Sequence, residues 1–135
     1  MTSDDVDRWL EAYVSAWKSY DREEIAALFA ADVVYRYHPY DEPIRGREAV
    51  VESWLGEGEH DGASTPDAEG TYDASYRTVA VDGDVAVATG KSTYLTEAGG
   101  AVDDVYFNAY VMRFDNDGCC TEFTEYYVDQ PKPND

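Results

Sequence analysis

Apolar and aromatic positions fall at Val6, Trp9, Leu10, Tyr13, Val14 and Trp17, the i, i+3, i+4, i+7 rhythm of one helical face. Ser3 and Asp4, just ahead of it, offer caps for the first turn. The rhythm breaks at Ser19-Tyr20-Asp21. Ile25, Leu28 and Phe29 then define a second short helix, with Asp21 as its cap and Glu24 at capping-box spacing. Val33-Val34-Tyr35-Arg36-Tyr37-His38 is β-branched and aromatic, which predicts a strand stopped by Pro39 and then Pro43. Arg45-Gly46-Arg47 opens a third helix through Ala49, Val50, Ser53, Trp54 and Leu55.

Gly56 to Gly70 holds almost nothing apolar and reads as a solvated loop that could serve as a lid. Beyond it the period changes to two. Strands are predicted over Tyr72 to Val81, Val85 to Leu95, Val102 to Phe114 and Cys119 to Val128. Turns at Asp82-Gly83-Asp84, Gly99-Gly100 and Asp115-Asn116-Asp117-Gly118 join them as an antiparallel meander. Helices first and strands after imply an α+β fold, with three N-terminal helices on one face of a strongly curved, mainly antiparallel sheet. No internal repeat is found.

A chain of 135 residues with 44% hydrophobic and 14% aromatic content has the size and apolar content for one core, so residues 1–135 are expected to form a single domain. Its 29 acidic residues against 10 basic ones give a net charge of -19, which argues against nucleic acid and anionic membranes as partners, since both need a positive face. The only lysines are Lys18, Lys91 and Lys132, and the acids are spread along the whole chain. Short hydrated carboxylates over an entire surface suit a cytosol rich in salt, where repulsion is screened; an ordinary acidic protein kept soluble by its charge is the alternative. No apolar run is long enough to span a bilayer, and Met1-Thr2-Ser3-Asp4-Asp5 lacks a basic leader, so a cytoplasmic location is expected. Adjacent Cys119 and Cys120 are expected to be reduced strand residues. His38 and His60 lie in different segments without a companion ligand, and no metal or other cofactor is expected.

Tyr13-Val14-Ser15-Ala16-Trp17, the run from Ile25 to Tyr35, and Pro43-Ile44-Arg45-Gly46-Arg47-Glu48-Ala49 together resemble the SnoaL-like branch of the nuclear transport factor 2-like superfamily. Val111 to Asp115 and Glu125 to Asp129 are similar to that group's last two strands. The resemblance implies a cystatin-like cone, its curved sheet and helices enclosing a pocket, usually in homodimers. It does not fix a reaction, because members include isomerases, cyclases, dehydratases, epoxide hydrolases and proteins without chemistry.

Laid on the ketosteroid isomerases of that superfamily, the general-base aspartate falls on Tyr37, the oxyanion-hole tyrosine on Tyr13, and the protonated aspartate on Tyr110. A phenol titrates near 10 and cannot replace the aspartate base, so steroid isomerisation by that route is disfavoured. Tyr13 and Tyr110 remain candidate hydrogen-bond donors to a carbonyl or enolate oxygen. Strand alternation from these anchors turns Val33 and Tyr35 inward with Tyr37, and Tyr106, Asn108 and Met112 inward with Tyr110. Phe123, Glu125 and Tyr127 follow on the last strand, and Trp17 and Trp54 join from the helices.

Such a lining suits a small apolar or aromatic ligand with oxygen functions, although any one tyrosine can equally close the cone as core. Glu125 is the candidate acid or base, because burial among aromatic rings raises a carboxyl pKa; a glutamate in water at the rim is its bland alternative. His38 alternates outward unless the Pro39 kink turns it to the mouth, where it would be a further catalytic candidate. Asp104 is expected to be a solvated acid, and Arg36, Arg77 and Arg113 to point away from the cavity toward surface acids. Three readings stand open: a proton-transfer enzyme, a ligand-binding protein without turnover, and a solid cone used only as a dimer or partner interface.

Overall fold

The computed structural model describes residues 1–57 and 66–132. Helix α1 (Ser3–Ser19) takes Thr2 as its cap rather than Ser3 or Asp4. The Thr2 hydroxyl accepts from the Asp5 N–H while the Asp5 carboxylate accepts from the Thr2 N–H, and only that three-residue reciprocity singles out one capping-type residue among four in a row. Tyr20, at φ 49°, adopts the left-handed conformation that ends α1. Helix α2 (Arg22–Ala27) starts at Asp21, whose side chain accepts from the Glu24 N–H as expected. Phe29, assigned above to that helix, instead begins strand β1 (Phe29–Arg36), where its ring is fully buried against Trp9 and Tyr35.

After β1 the chain turns back through a short β2 (Ile44–Arg45), a pairing too brief to show as alternation, and enters α3 (Arg47–Trp54). Strands β3 (Tyr72–Asp82), β4 (Val85–Leu95), β5 (Val102–Phe114) and β6 (Cys120–Asp129) form the meander. The sheet order is β2-β1-β6-β5-β4-β3, and β1 lies parallel to β6 while every other pair is antiparallel. Register shifts between Thr78 and Ala80, Tyr94 and Leu95, and Arg113 and Phe114 interrupt the ladders; such bulges add bend and twist, and they help curl the sheet around the helices.

The core fills the narrow end of this cone. Val6, Trp9, Leu10, Tyr13 and Ala16 of α1 face the sheet, and Trp9 meets the edges of Phe29 and Phe114. Phe123 of β6 is fully buried, with Tyr35 stacked on it at 4.8 Å and Tyr13 at 5.6 Å. Cys119 and Cys120 are both free thiols; Cys120 is the buried first residue of β6, whereas Cys119 stops short of the strand and closes the turn by accepting from the Asp115 N–H. Arg113 pairs with Asp84 and Glu122 on the outer side, as expected, while Arg36 donates to the backbone carbonyl of Asp41. No helix among the described residues is long and apolar enough to cross a membrane.

Candidate functional site

A cavity of about 520 Å³ opens between the helices and the concave face of the sheet. At its deep end converge Tyr13 from α1, Tyr35 from β1 and Tyr110 from β5, each almost wholly shielded from water. That burial holds all three phenols well above their usual pKa, so they are protonated donors throughout the ordinary pH range. Their rings are packed together, Tyr13 and Tyr110 with centroids 5.6 Å apart and Tyr110 and Tyr76 of β3 at 4.9 Å.

From Tyr76 a polar line crosses β4 and β5 to β6. Its hydroxyl lies 2.6 Å from Ser92 Oγ, Ser92 donates to Asn108 Oδ1 at 2.8 Å, and Asn108 Nδ2 donates to Glu125 Oε2 at 2.8 Å. Since Ser92 has one proton and gives it to Asn108, Tyr76 is the donor to Ser92, and the donors run toward the Glu125 carboxylate. Gly90 makes room for this arrangement: a Cβ there would stand 2.2 Å from the Tyr76 ring and from the Ser75 carbonyl. Burial pushes the Glu125 carboxyl up to about 7, against the opposing pull of the Asn108 N–H and of His38. A carboxyl poised there exchanges protons near neutrality and can act as either acid or base.

Two further donors belong to the deep half. The Tyr37 hydroxyl sits 2.9 Å from Ser53 Oγ of α3. Trp54 Nε1–H, buried at the end of α3 beside the Tyr35 phenol, lacks a partner of hydrogen-bond geometry.

The mouth is built differently. Trp17 Nε1 donates to both the Tyr20 hydroxyl and Asp67 Oδ2 at 3.1 Å, and the Tyr20 hydroxyl in turn accepts from the Asp67 N–H at 2.9 Å. Tyr94 and Tyr106 meet at 89° with centroids 5.5 Å apart, and Tyr106 meets Tyr127 at 87° and 5.4 Å. Asp103 and Asp104 lie on the rim, where exposed Lys132 reaches them at 3.6 and 3.3 Å.

The parity argument from the anchors puts most of its residues where it aimed them. Tyr13, Tyr110 and Glu125 line the cavity together, as do Trp17, Tyr35 and Tyr37. Trp54, Tyr106, Asn108 and Tyr127 complete that set. Met112 and Phe123 do not line it: both point inward but stand at the narrow end of the cone, fully buried under Trp9, Tyr13 and Tyr35, so they are core. Alternation fixes the face of a sheet and leaves open how far along the cone the space is filled.

His38 is likewise not part of the lining. The turn after β1 brings it to the rim behind Tyr127, with Nδ1 2.8 Å from Asp41 Oδ2 and Nε2 3.2 Å from the Tyr127 hydroxyl, its ring stacked on Tyr40. Asp104 stands half-buried at the mouth instead of free in water.

Sequence reasoning missed Tyr76, Ser92 and Tyr94, because no anchor fell on β3 or β4. The hairpin turn itself misleads, since extending the Asp82–Val85 pair without a bulge sets Tyr76 opposite Lys91, whereas the shift after Thr78 sets it opposite Gly90. The lone glycine in an otherwise bulky strand was the available signal. Asp67 and Tyr20 come from a loop and a helix end, where no periodicity operates. The lid expectation for Gly56 to Gly70 falls mainly on residues 58–65, outside the described residues, as does His60.

A helix-lined, curled six-stranded sheet around an aromatic cavity defines the nuclear transport factor 2-like class. Within it the chain belongs to the SnoaL-like domain family, whose sequence profile matches residues 10–123. No curated protein sequence matches significantly. Among solved structures, the chain is similar to a proposed ketosteroid isomerase from Kribbella flavida DSM 17836, at 19% identity and a TM-score of 0.65, over 98% of this chain and 84% of that one. An LEH-like epoxide hydrolase from M. tuberculosis is similar at 16% identity and a TM-score of 0.63, over 93% of this chain and 84% of that one. An NTF-2 like protein of unknown function from Burkholderia xenovorans LB400 matches at 17% and 0.65, over 97% and 88%. At these identities the likeness shows the fold alone.

Proposed function

We propose that the protein binds a small, flat, partly apolar molecule bearing a carbonyl or hydroxyl oxygen and moves a proton on it, with Glu125 as acid or base. The observation that carries this reading is the Glu125 carboxyl itself, largely buried in a cavity wall and held by the Tyr76–Ser92–Asn108 line. An isomerase-, cyclase- or dehydratase-type reaction fits a single proton exchanger flanked by phenol donors. The ketosteroid isomerase route does not fit, since Tyr37 stands in the base position with its hydroxyl against Ser53.

Binding without turnover is the second reading. It is favoured by the near-complete burial of the candidate oxyanion donors, Tyr13 and Tyr110, whose rings pack on one another and on Phe123 and Tyr76. Glu125→Gln separates the two, because it keeps the shape and removes the exchangeable proton. For an enzyme, turnover of a screened substrate falls by about 10²–10⁴ with little change in affinity. For a binding protein, only affinity moves. Equal turnover in both forms removes Glu125 from the chemistry.

The same reading takes the protein as cytoplasmic, adapted to high salt, and dimeric. Support for a dimer comes from the outer face of β5 and β6, where Phe107, Val111, Tyr126 and Val128 are exposed side by side on an otherwise acidic molecule. Sedimentation and thermal melting from about 0.1 M to about 3 M KCl test both points, with a dimeric mass and a rising Tm expected. A 15.1 kDa species throughout, or a flat Tm, overturns the corresponding part.

A further inference from the structure

The charge of the cavity wall carries an inference about the ligand that rests on the reading above of the cavity as a ligand site. Four carboxylates line it, Asp67, Asp103, Asp104 and Glu125, and no Lys, Arg or His does among the described residues. Lys132 offsets Asp103 and Asp104 from outside. Asp67 has no such partner among the described residues: its carboxylate takes hydrogen bonds from two neutral donors, Trp17 Nε1 at 3.1 Å and the Tyr20 hydroxyl at 3.3 Å. In the same lining stand the rings of Trp17, Tyr94 and Tyr106, Trp17 being packed also on Tyr72 at 4.5 Å. Trp17 and Tyr94 have centroids 6.0 Å apart, and Tyr106 stands perpendicular to Tyr94, so the rings form the corner of a box.

Aromatic faces with an uncompensated carboxylate are the chemistry that recognises an organic cation, and they repel an anion. An independent feature fixes the other end of the ligand. Trp54 Nε1–H is buried in the same lining with the Tyr35 phenol beside it but no acceptor in hydrogen-bond geometry among the described residues, which is costly unless something supplies one.

We propose that the ligand is a small aromatic or ring-bearing amine cation, its ammonium group seated against Trp17, Tyr94, Tyr106 and Asp67 and an oxygen acceptor directed to Trp54 Nε1–H. The ligand class is thereby narrowed from small oxygenated molecules in general to amino ketones, amino alcohols and their quaternary analogues.

Three isosteric probes test the charge: phenyltrimethylammonium, tert-butylbenzene and benzenesulfonate, titrated into the full chain at one KCl concentration. The cation is expected to bind about tenfold tighter than the neutral probe, and the sulfonate not measurably. Asp67→Asn keeps an acceptor for Trp17 and should weaken the cation about five- to tenfold while leaving tert-butylbenzene unchanged, which also reports an intact cavity. A para-acetyl group on the cation should raise affinity about threefold or more in the native chain and not in Trp54→Phe. Neutral binding equal to or tighter than cation binding, or equal losses of both in Asp67→Asn, overturns the cation assignment and leaves the cavity reading standing. An acetyl gain that survives Trp54→Phe overturns the acceptor assignment. Binding of none of the probes overturns the cavity reading, and this inference with it.

Discussion

The deep end and the mouth of the cavity are made from the same two residue types, tyrosine and carboxylate, yet they differ in what those groups can do. Toward the deep end Glu125 stands opposite Tyr110 in the β5–β6 ladder, and loss of water raises its carboxyl to about 7. At the mouth Asp67 meets indole and phenol donors in a half-open setting, and Asp104 has a lysine within reach. The phenols divide in the same way: Tyr13 and Tyr110 are sealed among packed rings, whereas Tyr106 and Tyr127 are partly exposed walls. Residue type supplies a functional group, and burial decides whether it exchanges protons or presents a fixed charge and a ring face.

The largest effect that tests this contrast is on packing. Phe123→Ala, at the floor of the deep end, should cost about 3–5 kcal/mol, because the rings stacked on it cannot collapse into the space. Tyr106→Ala, at the mouth, should cost no more than about 1 kcal/mol. Urea unfolding measures both, and similar losses would erase the distinction between a packed floor and an open wall.

Next comes pH. The folded-state carboxyl of Glu125 binds its proton more tightly than the unfolded one, about 7 against 4.5, so the folded form is favoured while both states are protonated and loses that advantage as pH rises between these values. This group's contribution should therefore fall by roughly 3 kcal/mol between about pH 4 and about pH 8. Glu125→Gln should be free of that component, and the variant should gain on the parent chain as pH rises. A stability difference independent of pH would mean that Glu125 is solvated and the two ends are alike. The smallest effect belongs to the mouth: Asp67→Asn should change stability by no more than about 0.5 kcal/mol in urea unfolding, and a loss of several kcal/mol would show the mouth to be packed as tightly as the deep end.

How much of this could be read from the chain differs from element to element. The helical rhythm of Val6 to Trp17 and the alternation through β5 and β6 reflect single faces packed on one core, so local pattern and tertiary burial agree there. That agreement made Tyr13, Tyr110, Asn108 and Glu125 legible as neighbours once the resemblance supplied a starting residue. Where a bulge shifts the register, as between Thr78 and Ala80, the same counting fails, and Tyr76 and Ser92 went unseen.

By itself, then, the sequence determined the α+β class, the extents of most elements and the excess of negative charge, all of which follow from residue type and spacing, while the inward face of the last two strands needed the resemblance as its starting point. The depth of each inward residue was decided only by the tertiary structure, because the curl of the sheet closes one end of the cone around Met112 and Phe123 and leaves the other open. The same closure withdraws water from Glu125, holds Trp54 Nε1–H without an acceptor in hydrogen-bond geometry among the described residues and brings Asp67 to Trp17 across fifty residues of chain. Solvation and long-range proximity are properties of the folded surface, and no local pattern encodes them.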